Sequence, residues 1–439
     1  MNVDAATADR QTAKYRLGRM LTEGKTKKLH EAKDKPGIVI VISKDDITAG
    51  DGKKHDIIVG KANLATETTC NVFELLKACD IPIAYIERDN VNSFIAYHTD
   101  MLPYEVVVRR EAHGSYLKSY PHLQKGHLFQ KLVVQFFLKT KDRRWKEHTL
   151  VCDDPLMLHR EGAGKIELYN PAESLRGQKP FLILDEMEVF GYAEEWHCFK
   201  EMQSIATKTF LVLERAWELE GGKLVDFKVE FGFDPTGNLV LSDVIDNDSW
   251  RVVEDGAYLD KQVYRDGGDI KEVANKYERV ANITSRFRLP SQRIILWCGS
   301  ESDVTKPFHD ALGGFRDLLT EVVCSAHKEP QAAVSIIQST VHAYPNSVVI
   351  AYIGRSNGAG PILSAQSTVP VITVPASVKD FPDDVWSSLR APSKVPVMTV
   401  LEPTNAVLAT LQILSARNPR IYAHLRQEVE TRLINTIPL

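Results

Sequence analysis

Cysteine is scarce and scattered in this chain. Six residues (Cys70, Cys79, Cys152, Cys198, Cys298 and Cys324) show no Cys-x-x-Cys spacing, a pattern that fits neither a disulfide scaffold nor a zinc site. No run approaches the ~18 apolar residues of a membrane-spanning helix, so no membrane association is expected. The opening stretch MNVDAATADRQTAK has no apolar core, so no secretory leader is expected and a cytoplasmic, reducing compartment is the simplest reading. Neither sign of charge dominates. The 54 Lys and Arg against 58 Asp and Glu leave a formal charge of −4, which argues against a dedicated nucleic-acid binder. There is no internal repeat and no low-complexity tract.

What is present is ordinary globular sequence, 44% hydrophobic and 26% charged over 439 residues. That length exceeds the ~250–300 residues at which single cores stop growing, so more than one domain is expected. The pattern changes near residue 290. Before it, strands and helices come in irregular order, which suggests an α+β domain. Residues 15–33 read as a hairpin around Glu23-Gly24, 37–44 as a strand and 60–79 as an amphipathic helix. Strand-like runs follow at PIAYIE, SFIAYHT, EVVVRR and KLVVQFFLK, and 142–190 is dominated by loop signals. Residues 193–219 keep a 3.6-residue period through Phe199, Met202, Ile205, Ala206, Phe210, Leu213 and Ala216, which predicts a long helix. KLVDFKVEFGF and NLVLSDVID flank the turn Asp234–Asn238 and predict a hairpin.

The charged stretch 266–290 reads as a helical connector ending at Pro290. After it the order is regular. Strands RIILWC, TEVVCSA, SVVIAYI, PVITVP and PVMTVL alternate with helices expected over about 303–320, 330–342, after Pro361, around Val385-Trp386 and over 404–416. Short apolar strands between helices predict a three-layer α/β domain on a parallel sheet of flavodoxin or Rossmann type. The expected boundaries are 1–265 for the first domain, 266–290 for the connector and 291–439 for the second domain.

Parallel strands share direction, so motifs at their carboxyl ends should meet on one sheet edge. Three such ends carry Gly299-Ser300-Glu301-Ser302-Asp303, Ser325-Ala326-His327-Lys328 and Gly354-Arg355-Ser356-Asn357-Gly358. Serine hydroxyls and amides at a helix start suit phosphate, and histidine is the residue type suited to moving protons near neutral pH, which makes His327 the natural proton carrier. Each motif alone also fits a tight turn, an N-cap or a structural histidine. In the first domain, EGKTKKLHE (23–31) lacks Walker A spacing, and it reads either as a solvated hairpin or as a lid whose Lys25 and Lys27 reach phosphates. Pairing across the 234–238 turn should bring Glu230 near Asp243. Two such carboxylates suit Mg²⁺, or else form a solvent-facing acidic edge.

The motifs GSESD, CSAHKEP, GRSNGAGP and DVWSSLRAPS resemble the carboxylase domain of the animal bifunctional phosphoribosylaminoimidazole carboxylase and phosphoribosylaminoimidazole-succinocarboxamide synthase family. EGKTK, SKDDITAGDG, VVVRREAHGS, DFKVEFG, LSDVIDNDSWR and DKQVYRD resemble its synthase domain, in order and in spacing. The resemblance implies an ATP-grasp-like synthase domain and a homo-octamer assembled through the carboxylase domains. It implies carboxylation of aminoimidazole ribonucleotide with CO2 and without biotin, then ATP-dependent ligation of aspartate. It assigns His327 as acid/base with Ser325 and Lys328 beside it, and Ser300, Ser302, Asp303, Arg355 and Ser356 as substrate-binding. In the synthase domain it assigns Lys25 and Lys27 to ATP and Glu230 and Asp243 to Mg²⁺. Arg109, Ser115, Asp226, Lys228, Arg251, Lys261 and Arg265 would hold the carboxylated ribonucleotide. The chain departs from the family pattern at Gln135, Glu329 and Ile353. These departures keep open a paralogue with one activity lost or altered, and a non-catalytic nucleotide-binding oligomer.

Overall fold

Two units organise the chain, whose computed structural model describes residues 14–49, 54–190, 195–259, 261–265 and 269–435. The expected helix start at 193, the glycine end of SKDDITAGDG, both aspartates of DKQVYRD and the first 13 residues of the opening stretch lie outside those residues. One unit holds the chain up to Arg288 together with the stretch from Arg426 onward, and the other holds Leu289–Leu425. Among the described residues no helix is long and apolar enough to cross a membrane.

The first unit carries two large antiparallel sheets. Five strands (Arg16–Glu23, Lys27–Lys33, Ile38–Ser43, Ser93–Tyr97 and Tyr85–Asn90, in spatial order) form the smaller one. The helix Lys61–Ala78 buries Ala62, Ala65, Val72, Phe73 and Leu76. A nine-stranded sheet has Asp100–Glu111, Leu128–Leu138 and Lys223–Phe233 among its members. The helix Glu195–Leu219 packs on that sheet, and all seven apolar positions expected from its period are buried. Phe210 meets Phe227 edge-on at 5.4 Å, and Phe199 stacks on Phe136 at 3.7 Å. Each side chain so buried contributes about 1.5–3 kcal/mol relative to exposure.

Several local expectations are revised. The second arm of the 234–238 hairpin is only Leu239–Leu241, because the chain turns away after Ser242 donates its amide to the Glu230 carbonyl. Residues 142–190 hold five short strands between their turns. In the stretch read as a connector, the helix Ile270–Thr284 buries Val273 and Tyr277 against Ile47, Ile58 and Tyr264. Its charged composition hides an apolar stripe at i, i+4 spacing.

The second unit contains five strands, all parallel: Leu319–Val323, Arg293–Cys298, Ser347–Ile353, Val371–Pro375 and Val397–Thr399, in that spatial order. In chain order this is 2-1-3-4-5, with the topological switch between the first and third strands. Alternate residues of each strand feed two cores. Ile294, Leu296, Val348 and Ile350 face Phe308, Val407 and Leu411, while Ile295, Trp297, Val349 and Ala351 face Ala333, Ile337 and Leu363. The helix expected over 303–320 is shorter, Lys306–Leu312. Gly313, at φ +52, ends it and a 3-10 turn follows to Leu318.

Candidate active sites

In the first unit, antiparallel pairing sets Asp226 opposite both Arg109 and Arg251. Arg109 donates through Nη1 to Asp226 Oδ2 at 2.6 Å and through Nε to Gln135 Oε1 at 2.9 Å. Arg251 Nη1 reaches the two Asp226 oxygens at 3.0 and 2.7 Å. Two guanidinium groups thus share one carboxylate, and Gln135 adds a neutral acceptor, so the cluster keeps a net positive charge suited to an anion. Burial pushes the Arg109 guanidinium below its ordinary value, while Asp226 pulls the other way. Gly114 explains how Arg251 comes so close: at φ +56, a Cβ there would lie 2.3 Å from Arg251 Nη2.

Arg109, Ser115, Asp226, Lys228, Arg251 and Arg265 line one cavity of about 330 Å³. Lys261 is not among its lining residues; it pairs at 3.3 Å with Asp248, which is. Lys25 sits exposed in the turn of the 16–33 hairpin, closed by the Gly24 amide on the Lys27 carbonyl.

Glu230 and Asp243 are bridged by an ammonium group. Lys228 Nζ lies 2.6 Å from Glu230 Oε1 and 3.5 Å from Asp243 Oδ2. Lys27 pairs with Asp243, and Lys139 donates to the other Glu230 oxygen at 2.5 Å. Burial alone would depress the Lys228 ammonium, but Asp243, Glu230 and Glu105 outweigh it and hold it above its ordinary range. Burial likewise opposes the Asp243 charge, and Lys27 and Lys228 hold that carboxyl below the ordinary range. Asp246 goes the other way: burial, then the Asp248 charge, raise it to about 6. Among the described residues no three or more His, Cys, Asp or Glu gather as a metal cluster. The two carboxylates around one cation are a hard-oxygen donor pair that fits Mg²⁺ accompanied by water and phosphate ligands. Glu105 and Lys139 join this cluster and Gln135 joins the arginine cluster, and the motifs assign none of the three. They lie on the neighbouring strands Asp100–Glu111 and Leu128–Leu138 or just beyond, where only pairing reveals them.

In the second unit the three strand-end motifs occupy the carboxyl edge around the switch point. Ser300 donates its amide to Asp303 Oδ2 at 2.9 Å, and the Ser300 and Ser302 hydroxyls meet at 2.9 Å. Ser325 Oγ accepts the Lys328 amide at 3.4 Å, and its carbonyl accepts the Glu329 amide, which turns the chain so that His327 is exposed. His327 lies directly against Gly358, where a Cβ would sit 2.2 Å from Nε2. The second and third motifs therefore touch. Ser356 holds a left-handed φ of +53, and its amide donates to Asp384 Oδ1 at 2.8 Å. Asn357 is buried between the Ser387 and Ser388 hydroxyls and takes the Gly360 amide at 2.9 Å. Strain held by such bonds is common at ligand loops. Arg355 lies over the Phe381 ring at 4.1 Å. Asp384, Ser387 and Ser388 come from the DVWSSLRAPS stretch, which carried no residue assignments although its serines and aspartate now anchor the loop.

Comparison with known proteins agrees with this division. The SAICAR synthetase family model matches residues 20–156 and 172–284, and the AIR carboxylase family model matches 293–433. The bifunctional phosphoribosylaminoimidazole carboxylase/phosphoribosylaminoimidazole succinocarboxamide synthetase of Drosophila melanogaster is 34% identical over 431 residues, covering 94% of this chain and 92% of that protein. The phosphoribosylaminoimidazole-succinocarboxamide synthase of Chloroflexus aurantiacus is 35% identical over 279 residues, covering 62% of this chain and 98% of that protein. A solved phosphoribosylaminoimidazole-succinocarboxamide synthase from Ehrlichia chaffeensis is similar at a TM-score of 0.49 and 25% identity, over 61% of this chain and 98% of that one. The chain belongs to the bifunctional phosphoribosylaminoimidazole carboxylase/phosphoribosylaminoimidazole succinocarboxamide synthetase family, as an enzyme whose SAICAR synthetase domain is followed by an AIR carboxylase domain.

Proposed function

We propose that the chain catalyses two consecutive steps of purine synthesis, carboxylation of aminoimidazole ribonucleotide by CO2 and then ATP-dependent ligation of aspartate. The observation that carries this reading is the convergence of Arg109, Ser115, Asp226, Lys228, Arg251 and Arg265 on one cavity. Its net positive lining suits a ribonucleotide bearing phosphate and carboxylate. Lys261 acts behind it, holding Asp248.

In the carboxylase half the nucleophilic ring carbon attacks CO2, a carbon–carbon bond forms, and the ring proton leaves. His327 carries that proton, with Ser325 and Lys328 setting its loop. Ser300, Ser302 and Asp303 hold the ribose phosphate, and Arg355 and Ser356 help hold the nucleotide or CO2 beside His327. No biotin is needed, since CO2 reacts directly.

In the synthetase half an imidazole carboxylate oxygen attacks the ATP γ-phosphorus and ADP leaves, which gives an acyl phosphate. The aspartate amine then attacks the acyl carbon, the amide bond forms, and phosphate and a proton depart. Lys25 and Lys27 hold the ATP phosphates. Mg²⁺ on Glu230 and Asp243 would supply charge neutralisation on those phosphates. The remaining work is positioning and electrostatics. The first domain reads as ATP-grasp-like, 1–265, and the second as flavodoxin-like, 291–439, because its strand order is 2-1-3-4-5. A cytoplasmic homo-octamer joined through the carboxylase domains completes the reading, by analogy with the family.

A split assay tests it. One reaction receives aminoimidazole ribonucleotide and bicarbonate, the other the carboxylated ribonucleotide with ATP, Mg²⁺ and aspartate. His327→Ala is expected to lose carboxylation and keep ligation. Asp243→Asn is expected to lose ligation, by about 10²-fold or more, and keep carboxylation. Equal loss of both activities in either variant would refute separate sites.

A further inference from the structure

The strand Leu128–Leu138 carries Gln135, the acceptor that orients Arg109. Its pairing with Asp100–Glu111 is interrupted in one place. Val133 lies opposite Arg109 and Leu128 opposite Glu111, so 129–132 bulge out opposite the single residue Arg110. Among the described residues no strand pairs with 129–132. Their polar backbone groups need other partners, because unpaired buried amides and carbonyls are costly.

The partners come from a segment nearly 300 residues away in sequence, Arg426–Asn435, which folds with the first unit. Glu430 Oε2 accepts the Leu132 amide at 2.8 Å. Arg426 Nη2 donates to the Gln130 carbonyl at 2.7 Å, and Asn435 clasps the Lys131 backbone, its Oδ1 accepting the Lys131 amide at 2.8 Å and its Nδ2 donating to the Lys131 carbonyl at 2.7 Å. Arg110 fills the centre. It donates to Glu214 at 2.6 and 3.2 Å, to Glu430 Oε1 at 2.5 Å, and to the Phe129 and Gln130 carbonyls at 3.2 Å each. Arg110, Glu214 and Glu430 are only 6%, 5% and 4% exposed. A buried arginine between two carboxylates is fixed in direction, and its chain neighbour is Arg109. Arg109 is also bonded to Gln135, only two residues beyond the bulge end at Val133.

We propose that Glu430 is a positioning residue of the synthetase site: the segment Arg426–Asn435 clamps the 129–132 bulge and, through Arg110 and the bulged strand, holds Gln135 on Arg109 and so fixes Arg109 in the ribonucleotide cavity. Most of the segment falls within the stretch that the AIR carboxylase family model matches, yet it folds with the first unit and serves the other activity. The inference rests on the ribonucleotide assignment above.

The test uses the full chain with Glu430→Gln, and Asn435→Ala as a milder second variant. In the split assay, Glu430→Gln is expected to raise the ligation KM for the carboxylated ribonucleotide about tenfold, with a smaller change in kcat, since misplacement of a binding group acts mainly on substrate affinity here. Asn435→Ala shifts it less in the same direction, and carboxylation by both variants stays at the wild-type rate. Amide exchange of Leu132 and its neighbours accelerates. Faster exchange with an unchanged KM would overturn the proposal, and so would an equal fall of both activities with a lowered melting temperature. If the wild-type chain itself performs no ligation, the function assignment fails. The clamp is then judged by exchange alone: unchanged protection of 129–135 in Glu430→Gln refutes it, and lost protection upholds it.

Discussion

Two glycines mark the places where the sites tolerate no side chain. Gly358 has an ordinary φ of −70, so an alanine is conformationally allowed there, but its Cβ would sit on His327 Nε2. Gly358→Ala is expected to lower carboxylation by about 10²-fold through displacement of the imidazole, with ligation unchanged in the split assay. Gly114 adds a backbone demand to the steric one. Gly114→Ala is expected to push Arg251 off Asp226 and raise the ligation KM for the ribonucleotide about tenfold or more, with carboxylation unchanged. The departures from the family pattern have structural roles at this scale. Ile353 is buried in the core with Trp297, Ala326 and Ala359. Glu329 starts the helix Pro330–Ala343, where a negative charge suits the helix N-terminus. Gln135 holds Arg109 without neutralising it.

Among elements, the hairpin arm Lys223–Phe233 sets the geometry of the acidic pair, and its turn is secured by one side chain. Asp234 accepts from the Thr236 amide and hydroxyl at 2.8 and 2.7 Å and from the Asn238 amide at 3.0 Å. Burial is the largest single influence and pushes the Asp234 carboxyl up, but the bonds from Thr236 and Asn238 together outweigh it and hold the group down at about 2. A carboxyl lowered from its ordinary value of 3.8 contributes stability that is full above that value and is lost as pH falls through about 2. Asp234→Ala is therefore expected to melt below wild type at pH 7, with the gap closing between about pH 4 and pH 2. Thermal unfolding followed by circular dichroism across that range checks it. A gap independent of pH would mean that the charge is not what secures the turn.

The two units each carry their own hydrophobic clusters and a candidate site. Sites in separate units with no shared partners should respond additively. The double variant Gly114→Ala/Gly358→Ala is expected to ligate like the first single variant and carboxylate like the second, within about twofold. The same assays on three proteins settle this, and a double variant worse in either activity than its single counterpart would reveal coupling between the units.

The sequence by itself determined the five parallel strands of the second unit, but not the early end of its first helix at Leu312 or the helix Pro419–Thr431. Short apolar runs alternate with helices, parallel strands share one direction, and the motifs at their ends therefore meet on one edge. Periodicity also placed the long helix and its buried face, and the turn residues placed the 234–238 hairpin. What only the tertiary structure decided are the pairings between distant strands: Asp226 between Arg109 and Arg251, Lys228 between Glu230 and Asp243, and Gln135 on Arg109. The clamp of Arg110 by Glu430 joins residues 320 apart. No local pattern encodes such contacts, because strand order in an antiparallel sheet is set by which faces and edges must be covered, and that is a property of the assembled core.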